Sequence, residues 1–99
     1  ILDLGPAASM HGMHVAGTAG ANGDVENGGI KGVAPESQLL AMKVFSNDPI
    51  YATTFSDIYL AAIDESIKLG ADVLNMSLGS TASFYIAESA EDVALRKHK

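Results

Sequence analysis

The chain has no cysteine among its 99 residues, which excludes disulfides and thiol chemistry and leaves the compartment undecided. It is short of basic residues: 6 Lys plus Arg stand against 12 Asp plus Glu, a formal charge of −6. Phosphate binding wants a basic patch, so this balance argues against a nucleic-acid partner. The only basic cluster, Arg96-Lys97-His98-Lys99, reads as a solvated helix end. No apolar run approaches the roughly 20 residues that a membrane span needs, so no membrane partner is expected in this segment. There is no internal repeat and no low-complexity tract. No leader is visible either, and Ile1 reads as lying inside a mature protein.

What is present is ordinary globular composition, 47% hydrophobic with 10 glycines. The length suits one domain or less. A chain of this size buries roughly 60–70% of its unfolded surface, so a core is expected.

From Met10 to about Ala21 the residues are small or apolar, with Ser9 as a candidate N-cap, which predicts a buried helix. Gly17 and Gly20 weaken helix propensity and make sense where another backbone packs closely. Asn22 to Gly32 reads as a loop, on Asn22-Gly23 and Asn27-Gly28-Gly29. The apolar run 38–45 predicts a buried strand. Thr54 with Asp57 resembles a capping box, opening a helix near 54–69 whose apolar face is Phe55, Ile58, Tyr59, Ala62, Ile63 and Ile67. Lys68 sits in its last turn and Gly70 closes it. Residues 72–77 predict a second strand, and 82–98 further helix. Strand, helix, strand with this crossover length is a βαβ unit with parallel strands and right-handed connection. Phe45 and Ser77 then end the strands on one edge, where α/β sheets bind ligands.

The most telling stretch is His11-Gly12-Met13-His14-Val15-Ala16-Gly17-Thr18. It resembles the histidine motif of the subtilases, the subtilisin-like serine proteases. Two further blocks resemble the same family, in family order. One is Gly32-Val33-Ala34-Pro35 with Leu39 to Phe45, and the other runs from Gly70 to Ser80. Met13, where subtilisins usually have Thr, is similar to the cell-envelope proteinases of Gram-positive bacteria, the lactocepin and C5a-peptidase group. The resemblance implies a parallel three-layer α/β sandwich of which 1–99 is a partial catalytic domain, truncated at both ends. It implies a serine endopeptidase, secreted or cell-wall-anchored, acting on polypeptides.

It also implies roles. His11 takes the general-base position: an imidazole can accept a proton from a serine hydroxyl near neutral pH and return it to the leaving amine. His14 is structural. Ser77, Leu78 and Gly79 match the segment along which substrate pairs as an added strand. Phe45 falls where the family lines its side-chain pockets. No metal is expected at His11 and His14, because an i, i+3 pair still needs a third ligand. The reaction needs no cofactor. Some members bind calcium after the histidine helix, and Asn22, Asp24, Glu26 and Asn27 offer oxygens of the kind Ca²⁺ takes.

Two triad members are not evident. No nucleophile motif of the Gly-Thr-Ser type follows Gly79, and no oxyanion Asn in a matching motif. Ile1-Leu2-Asp3-Leu4-Gly5 echoes the family's Asp-x-Gly strand, but Asp3 lies only eight residues before His11 and reads as a chance match. The chain alone is therefore expected to be inactive. A different reading is a non-catalytic α/β interaction module that keeps the fold without the chemistry. Because both strands read as apolar on both faces, the isolated chain is expected to self-associate.

Overall fold

Helix α1, His11–Gly20, is built from small residues and opens at Met10 (φ −87°, ψ −6°) with no side-chain cap. In this computed structural model the described residues are 10–51, 53–81 and 90–97, so the expected cap Ser9 and the triad candidate Asp3 lie outside them. The Thr18 hydroxyl donates back to the His14 carbonyl at 2.9 Å, one turn earlier. No residue of α1 is fully buried; Val15, Ala16, Gly17, Ala19 and Gly20 are half-buried. The helix stands where its pattern predicts, but its burial does not.

The chain then loops through 22–31 and returns along the C-terminal end of α1. Asn22 and Lys31 form an isolated antiparallel bridge. Gly32 N donates to Ala21 O at 2.9 Å, Val33 N to Thr18 O at 3.0 Å and Ala34 N to Ala19 O at 2.8 Å. A helix leaves its last carbonyls without intrahelical partners, and the returning backbone satisfies them. Glycine is required at the crossing. A Cβ on Gly32 would lie 2.6 Å from Ala21 N and 2.8 Å from both Gly17 O and Gly20 N. The close approach anticipated at Gly17 and Gly20 is thus made by Gly32. Gly20 meets only side chains, Leu39 and Ser37, and Gly17 faces open space.

Helix α2, Ser56–Lys68, begins after an extended Phe55. Thr54 does not cap it: its Oγ1 is buried and makes no hydrogen bond among the described residues. Only the middle of the predicted apolar face is covered. Ile63 is 2% exposed and Ser66 beside it is buried, its hydroxyl donating to Ile63 O at 2.7 Å. Phe55 and Ile58 remain exposed. The C-terminus follows the expectation in detail. Gly70 takes φ +87°, its N–H reaches Ile67 O, and Ala71 N reaches Ser66 O, both at 3.0 Å. This pair of bonds is the Schellman closure, which needs a left-handed residue and so favours glycine. Lys68 pairs with Asp64 at 2.9 Å on the exposed side. Helix α3, Ala90–Arg96, packs on α2 within the predicted helical stretch; residues 82–89, 98 and 99 lie outside the described set.

The predicted strands are where sequence and structure part. Residues 38–45 and 72–77 carry no regular secondary structure, and among the described residues no strand forms. Strand geometry exists only through a partner's backbone, and no backbone hydrogen bond joins 38–45 to another described residue. Among the described residues the expected buried core is likewise reduced to Ile63 as the buried apolar side chain. Leu39, Leu40, Phe45, Val73 and Leu74 stay exposed. The chain divides into two units, Ile1–Ala52 and Thr53–Lys99, with α1 in the first and α2 and α3 in the second.

Candidate active site

The candidate residues distribute over both units. His11 and Phe45 belong to the first, and Ser77, Leu78 and Gly79 to the second. His11 is the first residue of α1 and is exposed. On one side Gly12 adds no bulk beside the imidazole, and a Cβ there would meet nothing within 4 Å. His14 lies one turn on, also exposed, and its carbonyl holds the Thr18 hydroxyl.

Phe45 closes the apolar run and is exposed. The segment that follows is ordered by its own polar groups. Asp48 N donates to Ser46 Oγ, Ile50 N to Asp48 Oδ1, both at 3.0 Å, and Lys43 Nζ to Asn47 Oδ1 at 2.7 Å. A single 3-10 turn, Pro49–Tyr51, results.

In the second unit, Asn75 Nδ2 donates to Ser77 Oγ at 2.9 Å. This bond draws the Ser77 side chain back along its own segment. Leu78 is half-buried, while Ser77 and Gly79 are exposed, and Gly79 faces open space. Asn75 had no role in the sequence reading; its position two residues before Ser77 is the signal that finds it.

The loop 22–31 uses its oxygens internally. Asn22 Oδ1 accepts from Asp24 N at 3.1 Å, and Asn27 Nδ2 donates to both Asp24 carboxylate oxygens at 3.1 and 3.0 Å. Among the described residues there is no group of three or more His, Asp or Glu that could hold a metal ion. An open cleft in the first unit is lined by Asn22, Lys31, Ala34, Pro35, Glu36 and Ser37; of these only Asn22, a candidate calcium ligand, was singled out by the sequence.

The Tyr59 hydroxyl hydrogen-bonds Glu91, which pushes its pKa above the usual value, with burial and the Glu91 charge adding to the effect. Lys68 is raised by its hydrogen bond to Asp64, then by the charges of Asp64 and Glu65.

Comparison with known proteins agrees with the three sequence blocks. The subtilase family model matches residues 3–98. The chain is 54% identical over 89 residues to a PII-type proteinase of Lacticaseibacillus paracasei, covering 88% of this chain and 5% of that protein. It is 43% identical over 74 residues to the minor extracellular protease Vpr of Bacillus subtilis (strain 168), covering 75% and 8%. It is 38% identical over 92 residues to a subtilisin of Bacillus sp. (strain TA39), covering 88% and 21%. It thus spans a small share of each of these relatives. No solved structure matches. With almost its whole length matched, and His11, the Gly32 block and the Gly70–Ser80 block all inside the match, the chain belongs to the subtilase family.

Proposed function

We propose that this chain is part of the catalytic domain of a serine endopeptidase, with His11 as its general base. The observation that carries this reading is the histidine motif at the exposed start of α1, inside a subtilase match over residues 3–98. In this role the imidazole of His11 takes the proton of a serine hydroxyl as it attacks the peptide carbonyl, then gives it to the leaving amine. The serine and the carboxylate come from parts of the protein not identified in this chain.

The polypeptide substrate pairs its backbone with Ser77-Leu78-Gly79, and Phe45 contributes to a side-chain pocket. The inclusion of both segments in the subtilase match over residues 3–98 supports this. In the assembled domain 38–45 and 72–77 are parallel strands flanking α2, a βαβ unit of the three-layer sandwich. The protein is secreted or held at the cell wall. Relatives named extracellular proteases support that location, although a relative named major intracellular serine protease also matches, 41% identical over 69 residues.

The test uses the longer protein that carries this segment. His11→Ala should cost on the order of 10⁴-fold in kcat or more, the scale known for triad members of subtilisins. A serine-directed organophosphonate should block hydrolysis in the unsubstituted protein. Undiminished hydrolysis by the His11→Ala protein overturns the assignment. Absence of any organophosphonate-sensitive activity favours the non-catalytic interaction module instead.

A further inference from the structure

The open cleft of the first unit, beyond the C-terminal end of α1, has a volume of about 490 Å³. That falls within the roughly 300–1,000 Å³ of small-ligand sites. We propose that this cleft binds a short peptide by its two termini, the carboxylate at Lys31 and the ammonium at Glu36.

Two opposite charges line the cleft without neutralising each other. Lys68 pairs with Asp64, and Lys43 donates to Asn47. Among the described residues Lys31 and Glu36 make no ion pair and no side-chain hydrogen bond, with each other or with a third group. An anion would answer Lys31 and leave Glu36 facing it, and a cation would do the reverse. A ligand that carries both charges, held apart, answers both. A lone amino acid carries its two charges on one carbon. An extended chain advances about 3.3–3.6 Å per residue, so a peptide of two or three residues parts its termini by roughly 7–10 Å.

The walls are held by the fold. The Lys31 stem rests on Gly23, where a Cβ would lie 3.0 Å from Lys31 Cβ and 3.1 Å from Cγ. Asn22 stands opposite Lys31 in the antiparallel bridge. Its Oδ1 accepts from Asp24 N, which leaves Nδ2 as the end that can donate to a ligand carboxylate. On the other wall, Ala34 O accepts from Ser37 N at 3.0 Å and from Ser37 Oγ at 2.7 Å, while Ala34 N donates to Ala19 O at 2.8 Å. The turn that carries Pro35 and Glu36 is thus fastened to α1. Ala34 and Pro35 supply an apolar surface between the charges. Groups already held in place lose less freedom when a ligand arrives.

Peptides with free termini are what an endopeptidase releases. The choice of a peptide over another doubly charged ligand rests on that proposed activity; the charge pairing does not. His11 opens α1 and the cleft lies beyond its other end, about 15 Å along a helix of ten residues. Occupancy is therefore read without hydrolysis.

Trialanine is titrated into the isotope-labelled chain, dilute enough to be monomeric by sedimentation, and backbone amide shifts are followed by NMR. The N-acetylated, C-amidated and doubly blocked peptides and free alanine are titrated alongside. Trialanine should shift the amides of residues 22, 31, 34, 36 and 37, saturating at millimolar concentration. Blocking either terminus should weaken binding several-fold, and alanine should bind several-fold more weakly than trialanine. Lys31→Gln should make the free and C-amidated peptides bind alike, and Glu36→Gln should do so for the free and N-acetylated ones. Both side chains are exposed, so the substitutions leave the fold intact. Equal binding of the free and doubly blocked peptides, shifts centred elsewhere, or no saturation overturns the proposal. Alanine binding as well as trialanine overturns the peptide as occupant. No step depends on hydrolysis, so failure here is separable from failure of the protease assignment.

Discussion

Gly32 N donates to Ala21 O at 2.9 Å, with no room for a side chain between them. The contact fixes where the returning chain crosses the C-terminal end of α1, the helix that His11 opens.

Gly32→Ala should therefore destabilise the chain. The added Cβ meets backbone atoms at 2.6–2.8 Å, and backbone cannot swing aside as a side chain can. Overpacking of this kind costs about 1–3 kcal/mol. Gly17→Ala, facing open space in the same helix, should be neutral or stabilise by roughly 0.5–1 kcal/mol through helix propensity. Urea unfolding followed by circular dichroism compares the two; equal effects of the same sign refute the distinction.

Alkaline pH should loosen α2 from α3. The Tyr59 hydroxyl hydrogen-bonds Glu91, so the folded state keeps its proton to higher pH than the unfolded chain does. A pKa raised on folding contributes stability that is full below the unfolded tyrosine range near ~10 and is lost as pH rises through the folded pKa. Lys68, raised by Asp64, titrates in the same window, so a substitution is needed to separate them. Tyr59→Phe should flatten part of the alkaline decline in helicity. An identical pH profile for both chains removes Tyr59 from the account.

The isolated chain should self-associate. Val33 and Val73 are each 87% exposed and Ile30 82%, and the apolar residues of 38–45 and 72–77 add to that surface. Such surface is removed from water most readily against another copy. Sedimentation over a range of concentrations should show species above the monomer. One monomeric species at high concentration, with a cooperative melt, means the chain closes its own core.

The isolated chain should also fail to hydrolyse casein while the longer protein succeeds. Turnover that survives repurification and follows the inhibitor profile of the longer protein would show that the nucleophile is here after all.

The helices were legible in the sequence because their signals are local. Lys68 and Gly70 mark the end of α2 through hydrogen bonds spanning only a few residues. Phe55 was legible in kind but not in role: it occupies the N-cap position that Thr54 had been expected to hold. The apolar runs 38–45 and 72–77 announce strands, but a strand is completed by backbone from elsewhere, which composition cannot supply. Gly32 stood within a recognised block, yet its reason, contact with Gly17 and Gly20, joins residues 12 to 15 positions apart. The family, read from His11 and two further blocks, was legible because motifs need no partner to be recognised.

The closure at Gly70 sets a bearing. Ala71 is tied to Ser66 and Gly70 to Ile67, so the chain leaves α2 at an angle dictated by the helix itself. Residues 72–79 are in effect a boom mounted on that joint. Adding or deleting a residue between Lys68 and Asp72 would re-aim Ser77 to Gly79, even though none of those residues had been altered.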